Sequence, residues 1–294
     1  MTAMDMDEQM RELGPGRVFF DYGPVSMVVT AERGGEGDTA LCRSAFPVID
    51  GCLRELRPVL EMLRRYPPQV ELETLAGTGR VMAQAVLATG DPWLTPMAAV
   101  AGSVADAVAD YLWDQGATKV TANNGGDVAI RLAPGQSLGL GILFDLSRPG
   151  GVDQAVRIRP EHGVGGVATS GLGGRSLTTG IASGVTVFSS RCATADALAT
   201  LLADRSYIDS PAVQTCLAAE VDPDSDIADL RVVTGVGPLT EEEKRMALSQ
   251  VVAEARKQYE KGGLLACVAT VQGMTTLFDP QGILKGPNIM KNPE

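Results

Sequence analysis

Between residues 96 and 205 the chain changes repeatedly between two side-chain periods, and that alternation limits the fold more than any other feature. Residues 96–116 carry helical patterning, with Pro96 suited to a first turn and Gly116 to a stop. Two runs with strand-like alternation follow at once, 118–122 and 127–132, separated by Asn123-Asn124-Gly125-Gly126. Residues 138–145 read as another strand. Residues 163–184, which contain eight glycines, read as extended loop around short strands. A buried strand is expected at 185–188 and a second helix at 191–205. Segments of both periods this close together must cover one another's apolar faces. The expectation is an α/β (α+β) domain with mixed sheet layers packed against helices.

The flanks fit the same plan. Two apolar runs around Gly23-Pro24 predict a strand pair over 18–31, followed by a glycine and acid turn at 32–38. Leucines at helical spacing predict a helix over 49–66, stopped by Pro67-Pro68. A third helix is expected at 240–261, opened by the capping-box pair Thr240 and Glu243 and closed by Gly262-Gly263. Residues 264–271 read as the last strand. Residues 1–16 are polar and end in Gly14-Pro15-Gly16, so they are expected to be a loosely held tail. Residues 17–294 are then expected to be a single domain, with no repeat and no long linker.

Charge and cysteine usage narrow the function. A formal net charge of -11 opposes binding to phosphate backbones, so no nucleic-acid partner is expected. The densest basic run, Arg54, Arg57, Arg64 and Arg65, alternates with leucines and reads as the wet side of an amphipathic helix. The five cysteines are odd in number, widely spaced and without a CxxC pair, which suits a reducing compartment. No run approaches the roughly 18 apolar residues of a membrane span, and no secretory leader is apparent, so the expected location is cytoplasmic.

Four segments carry residue types that chemistry needs. Asn123, Asn124, Gly125, Gly126 and Asp127 combine amide side chains, glycines that let a backbone approach a ligand, and a fixed anion; the same pattern is a strong hairpin signal. Val167-Ala168-Thr169-Ser170-Gly171 offers adjacent hydroxyls and a glycine amide, but matches no phosphate-binding fingerprint. Asp196 and Thr200 are four apart, so a helix places both oxygens on one face, where they suit a hard cation or simply solvent. Residues 95–102, Thr-Pro-Met-Ala-Ala-Val-Ala-Gly, permit close packing at a helix start.

Taken together and in this order, these segments resemble the ApbE-like superfamily, over roughly 93–202. The 95–102 segment looks closest to its shorter branch of unassigned function. Members with known activity are FAD:protein FMN transferases, which split FAD and move FMN onto a Thr or Ser of a target protein with Mg²⁺. The resemblance implies a metal held by Asp196 and Thr200 with the backbone carbonyl of Ala98, Gly102 and Asp106 also matching. It implies a ligand pocket walled by Asn123, Asn124, Gly125 and Gly126 on one side and by Thr169, Ser170, Gly171 and Ser176 on the other. The chain departs from the transferases at three positions: Met97 replaces a glycine, Ala101 a lysine, and Arg175 the histidine that follows the VATSG run.

Arg175 remains protonated and cannot replace a histidine in proton transfer. The expected roles are therefore Asp127 as general base and Arg175 as anion stabiliser. The expected ligand is a small anionic or nucleotide-like molecule such as FAD or FMN, bound with Mg²⁺ and undergoing hydrolysis or group transfer. FMN transfer itself and a non-catalytic binding module are the alternatives. A homo-oligomer is left open.

Overall fold

The computed structural model describes residues 9–143, 152–174 and 176–290. Its strands are β1 (Met10–Gly14), β2 (Arg17–Tyr22), β3 (Val25–Arg33), β4 (Glu36–Gly37), β5 (Lys119–Asn124), β6 (Asp127–Leu132), β7 (Leu138–Ile142) and β8 (Gln154–Ile158). They continue with β9 (Gly166–Ser170), β10 (Gly184–Ser189), β11 (Val213–Leu217), β12 (Arg231–Val236), β13 (Ala266–Val271), β14 (Met274–Phe278) and β15 (Ile289–Met290). The longer helices are α1 (Phe46–Leu56), α2 (Gly77–Thr89), α3 (Val100–Asp114), α4 (Cys192–Asp204) and α5 (Glu241–Glu260).

Ten strands make one antiparallel sheet in the order β1-β2-β3-β5-β6-β9-β10-β13-β14, with β4 pairing β3. A three-stranded sheet, β15-β8-β7, and the pair β11-β12 complete the strands. The chain thus has the mixed helix-and-sheet class expected of it, in its α+β form.

The central strands look continuously apolar because both faces are covered. Along β6, β9, β10 and β13 successive side chains point to opposite sides. Ala129, Ala168, Val187 and Cys267 pack towards the helices. Val128, Val167, Phe188 and Val268 pack towards the small sheet of β7 and β8. At the flank, β3 alternates strictly between buried and half-buried positions over most of its length, the signature of a sheet with one covered face.

Close approach to the sheet is written in glycine. A Cβ on Gly166 of β9 would lie 2.2 Å from the Cα of Cys192, the first residue of α4. A Cβ on Gly102 of α3 would lie 2.4 Å from the Cys192 carbonyl oxygen. The start of α4 is therefore wedged between β9 and α3 at backbone contact, and this fixes where its later residues Asp196 and Thr200 point.

Several expectations are corrected. Met10–Gly14, expected within a loose tail, pairs with β2 as an edge strand. The helix expected over 49–66 starts earlier, at Phe46, and breaks after Leu56 into a 3₁₀ turn containing Pro58 before a short helix Leu60–Leu63. The strand expected at 138–145 ends at Ile142, its last residues lying outside the described residues. Residues 264–271 are not the last strand, since β14 returns antiparallel beside β13. Helix α2 and the pair β11-β12 were not anticipated.

The capping box at α5 forms as expected: the Thr240 hydroxyl accepts from the Glu243 amide at 3.2 Å, and Glu243 Oε2 accepts from the Thr240 amide at 2.8 Å. Thr240→Ala should lower stability by about 1 kcal/mol in urea unfolding, the usual cost of an N-cap.

Candidate functional site

The β5-β6 hairpin ends in a turn built by its own sequence. Gly125 and Gly126 both take positive φ, and Asn123 Oδ1 accepts from the Gly126 amide at 2.9 Å. Asn124 turns inward, is 7% exposed, and donates through Nδ2 to the Ala101 carbonyl at 3.2 Å. The hairpin forms as read, and its turn overhangs a cavity.

That cavity, of about 630 Å³, is walled by Asn123, Asn124, Gly125, Gly126 and Asp127 on one side and by Thr169, Ser170 and Ser176 on the other, with Asp196 and Thr200 also lining it. Pairing between β6 and β9 joins only Val128 to Val167 and Ala129 to Gly166, so Asp127 and Ser170 lie beyond the ladder at the cavity. Val25, Leu53, Leu140, Ile142 and Leu143 supply an apolar wall. A smaller cavity of about 360 Å³ shares Asp127, Ser176, Asp196 and Thr200, and adds Ala98, Trp93, Thr95 and a loop around Asp222, Asp224 and Asp226. That loop is tied down by hydrogen bonds from Thr95 to Asp226 and from Tyr66 to Asp229.

Two carboxylates govern the electrostatics where the cavities meet. Burial raises the Asp127 carboxyl to about 7, against a hydrogen bond from the Thr169 amide that favours its charged form. Asp196 is pushed well above the usual carboxylate range, first by burial and then by the charge of Asp127. The amides of Gly102 and Ala101 oppose that shift, Gly102 donating to Asp196 Oδ2 at 2.8 Å. In a continuous helix the Gly102 amide would bond back to the Ala98 carbonyl; here it is spent on Asp196. The Thr200 hydroxyl donates to the Asp196 carbonyl oxygen at 3.2 Å, so its lone pairs stay available.

The donor set fits a hard divalent cation. Ala98, Asp196 and Thr200 line the same small cavity, and a cation there would relieve the repulsion between Asp196 and Asp127. Among the described residues no group of three or more His, Cys, Asp or Glu is placed to hold a metal. Such a site would therefore be open, needing oxygens from a ligand.

The remaining expected residues fall as follows. Gly171 does not line either cavity; at φ +146° it passes tightly against the Ala182 carbonyl, where a Cβ would lie 2.8 Å away. Arg175 lies outside the described residues. His162 accepts the Arg159 amide through Nδ1 at 3.3 Å, a local turn contact. Sequence reasoning missed the apolar wall from β7 and the acidic loop at 222–227. The alternation of β7 marked it as a strand without saying what it covers, and the loop carries no motif.

A helix-flanked antiparallel sheet with a polar cavity at the end of its β5-β6 hairpin defines an α+β fold. Over 94% of this chain and 100% of the other, it superposes on the apo flavinyl transferase ApbE of Pseudomonas stutzeri with a TM-score of 0.52 at 15% identity, a likeness of fold. Residues 9–277 match the family model described as AbpE bacteria, and the chain belongs to that family within the ApbE-like superfamily. It is 34% identical over 169 residues to a UPF0280 protein of Methanopyrus kandleri, covering 56% of this chain and 66% of that protein. A UPF0280 protein of Methanothermobacter thermautotrophicus is 35% identical over 109 residues, 37% of this chain and 41% of that one. The chain thus matches less than two thirds of the length of these curated relatives. No helix among the described residues is long and apolar enough to cross a membrane.

Proposed function

We propose that the chain is an ApbE-like enzyme that binds a flavin nucleotide across the two joined cavities and cleaves or transfers it at its diphosphate. The observation that carries this reading is the convergence of the Asn123–Asp127 turn, the Thr169-Ser170 strand end and the Asp196-Thr200 helix face on one cavity of about 630 Å³. Cavities of roughly 300–1,000 Å³ suit ligands of nucleotide size. The apolar wall with amide and hydroxyl groups opposite suits a flat polar ring. The carboxylate junction would repel a bare diphosphate, which is why the ligand is expected with a divalent cation.

In that role Ala98, Asp196 and Thr200 would hold Mg²⁺, whose chemistry is Lewis-acid neutralisation of phosphate charge. The other task falls to Asp127. A carboxylate titrating near 7 takes a proton from an attacking hydroxyl at neutral pH. With water as nucleophile the P–O–P bridge breaks to FMN and AMP. With a Thr or Ser hydroxyl of a target protein, FMN passes to that oxygen and AMP leaves. Arg175, two positions past Gly173, is assigned to stabilise the departing anion.

One observation favours a binding module instead: Asp196 already caps the start of α3 and has a structural task without any metal. Thermal melting with FAD, FMN, ATP and Mg²⁺, alone and combined, followed by chromatography of the FAD samples, separates the two. The enzyme reading expects a melting rise that needs FAD and Mg²⁺ together, with AMP released. A rise without AMP over hours supports the binding module, and no rise with any of these ligands overturns both.

A further inference from the structure

Trp93 lines the smaller cavity and is 58% exposed, the most exposed large apolar side chain among the described residues. Indoles are among the side chains that gain most from burial, so one left open beside a cavity calls for a cause. A loose segment is not the cause. The Trp93 amide donates to Asp91 Oδ1 at 2.8 Å, and Asp91 is ion-paired with Arg205, just past α4. Tyr66 meets the indole edge-to-face, with ring centres 5.7 Å apart, and the Tyr66 hydroxyl donates to Asp229. An indole held in this way loses little further freedom when a flat ring lies on it.

Size and charge decide which ring. The two cavities measure about 630 and 360 Å³, unequal as the two ends of a flavin dinucleotide are unequal. The tricyclic end suits the larger one and its apolar wall. Asp127, Ser176, Asp196 and Thr200 line both cavities, which puts the diphosphate at their junction. Arg64 is the one cation among the described residues lining the smaller cavity, against Asp222, Asp224 and Asp226 of the adjoining loop. A wall of that sign opposes any phosphate at this end and suits an uncharged nucleoside.

Resting on the flavin-nucleotide reading, we infer that Trp93 stacks the purine of the dinucleotide's AMP half, while the flavin ring lies in the larger cavity. Trp93 thereby sets the preference for the dinucleotide over FMN, which has nothing to lay on the indole.

The test uses AMP and FMN, the two halves, each with Mg²⁺, because neither contains the diphosphate bridge that would be cut. The chain has two tryptophans, so in a Trp113→Phe background fluorescence reports Trp93 alone, and AMP should quench it saturably. In calorimetric titrations Trp93→Ala should weaken AMP roughly fivefold or more, the usual worth of a base stacked on an aromatic ring, and leave FMN unchanged. Trp93→Phe should keep most of the AMP affinity. An indole that only supports the fold would not move AMP relative to FMN, so equal losses for both in Trp93→Ala would overturn the assignment. FMN binding without quenching by AMP, or with equal AMP affinity in the parent and Trp93→Ala, would overturn it and leave the flavin reading standing. A parent that binds neither half would overturn both.

Discussion

Asp127→Asn should lower the rate of FAD cleavage by about 10²–10⁴, the usual contribution of a positioned general base. It should also make the ligand-free protein more stable at pH 8 while changing little at pH 5. The second effect follows from linkage. Burial raises the folded-state carboxyl to about 7 from an ordinary value near 4, so between those values the folded protein holds a proton that the unfolded chain has released. The stabilising proton is fully present below about pH 4 and is lost as pH rises through 7. Asp196 moves in the same direction, first through burial and then through the charge of Asp127. The parent should therefore weaken from pH 5 to pH 8, and the asparagine variant should weaken less.

Mg²⁺ adds a second handle on the same pair. A cation competes with protons for the carboxylates, so Mg²⁺ should raise the melting temperature more at pH 8 than at pH 5. Activity of the parent should climb with pH through about 7 as Asp127 deprotonates. An Asp127→Asn variant that keeps full activity would remove the residue from the chemistry. A parent whose stability is flat from pH 5 to pH 8 would remove the strained pair itself.

The parts of this site that the sequence made legible are those with a local cause. Asn123 to Gly126 make a hairpin because Asn and Gly tolerate positive φ, and the spacing of Asp196 and Thr200 follows from helix geometry alone. What stayed hidden depended on distant partners. Neither the raised proton affinity of Asp127 nor its coupling to Asp196 can be seen in one dimension, because the two residues are brought together by the packing of α4 on the sheet. Taken alone, the spacing of Asp196 and Thr200 leaves a cation face and a solvated face both open; in the fold Asp196 is partly buried and caps α3. Helix α2 escaped notice because it opens with Gly77 and Gly79 and has no side-chain cap. Strand β1 escaped because only one of its five residues, Met10, packs against the core.

The glycines around α4 set the second large effect. Gly166→Ala should cost about 1–3 kcal/mol, the range for overpacking a close-packed interior. The added Cβ meets the backbone of Cys192 at 2.2 Å and of Arg191 at 2.5 Å, so no side-chain rotation can relieve it. Either β9 or the start of α4 must move. Asp196 sits one turn beyond Cys192, so the same shift alters its distance from Asp127 and should abolish the melting rise with FAD and Mg²⁺ even at temperatures where the variant is folded. Gly51→Ala is the internal control. Gly51 lies inside α1 with nothing within 4 Å of a new Cβ, and there the same change should stabilise by roughly 0.5–1 kcal/mol. Chemical unfolding of both variants checks the opposite signs. If Gly166→Ala were as harmless as Gly51→Ala, the backbone contact between β9 and α4 would not be what holds the two halves of the site in place.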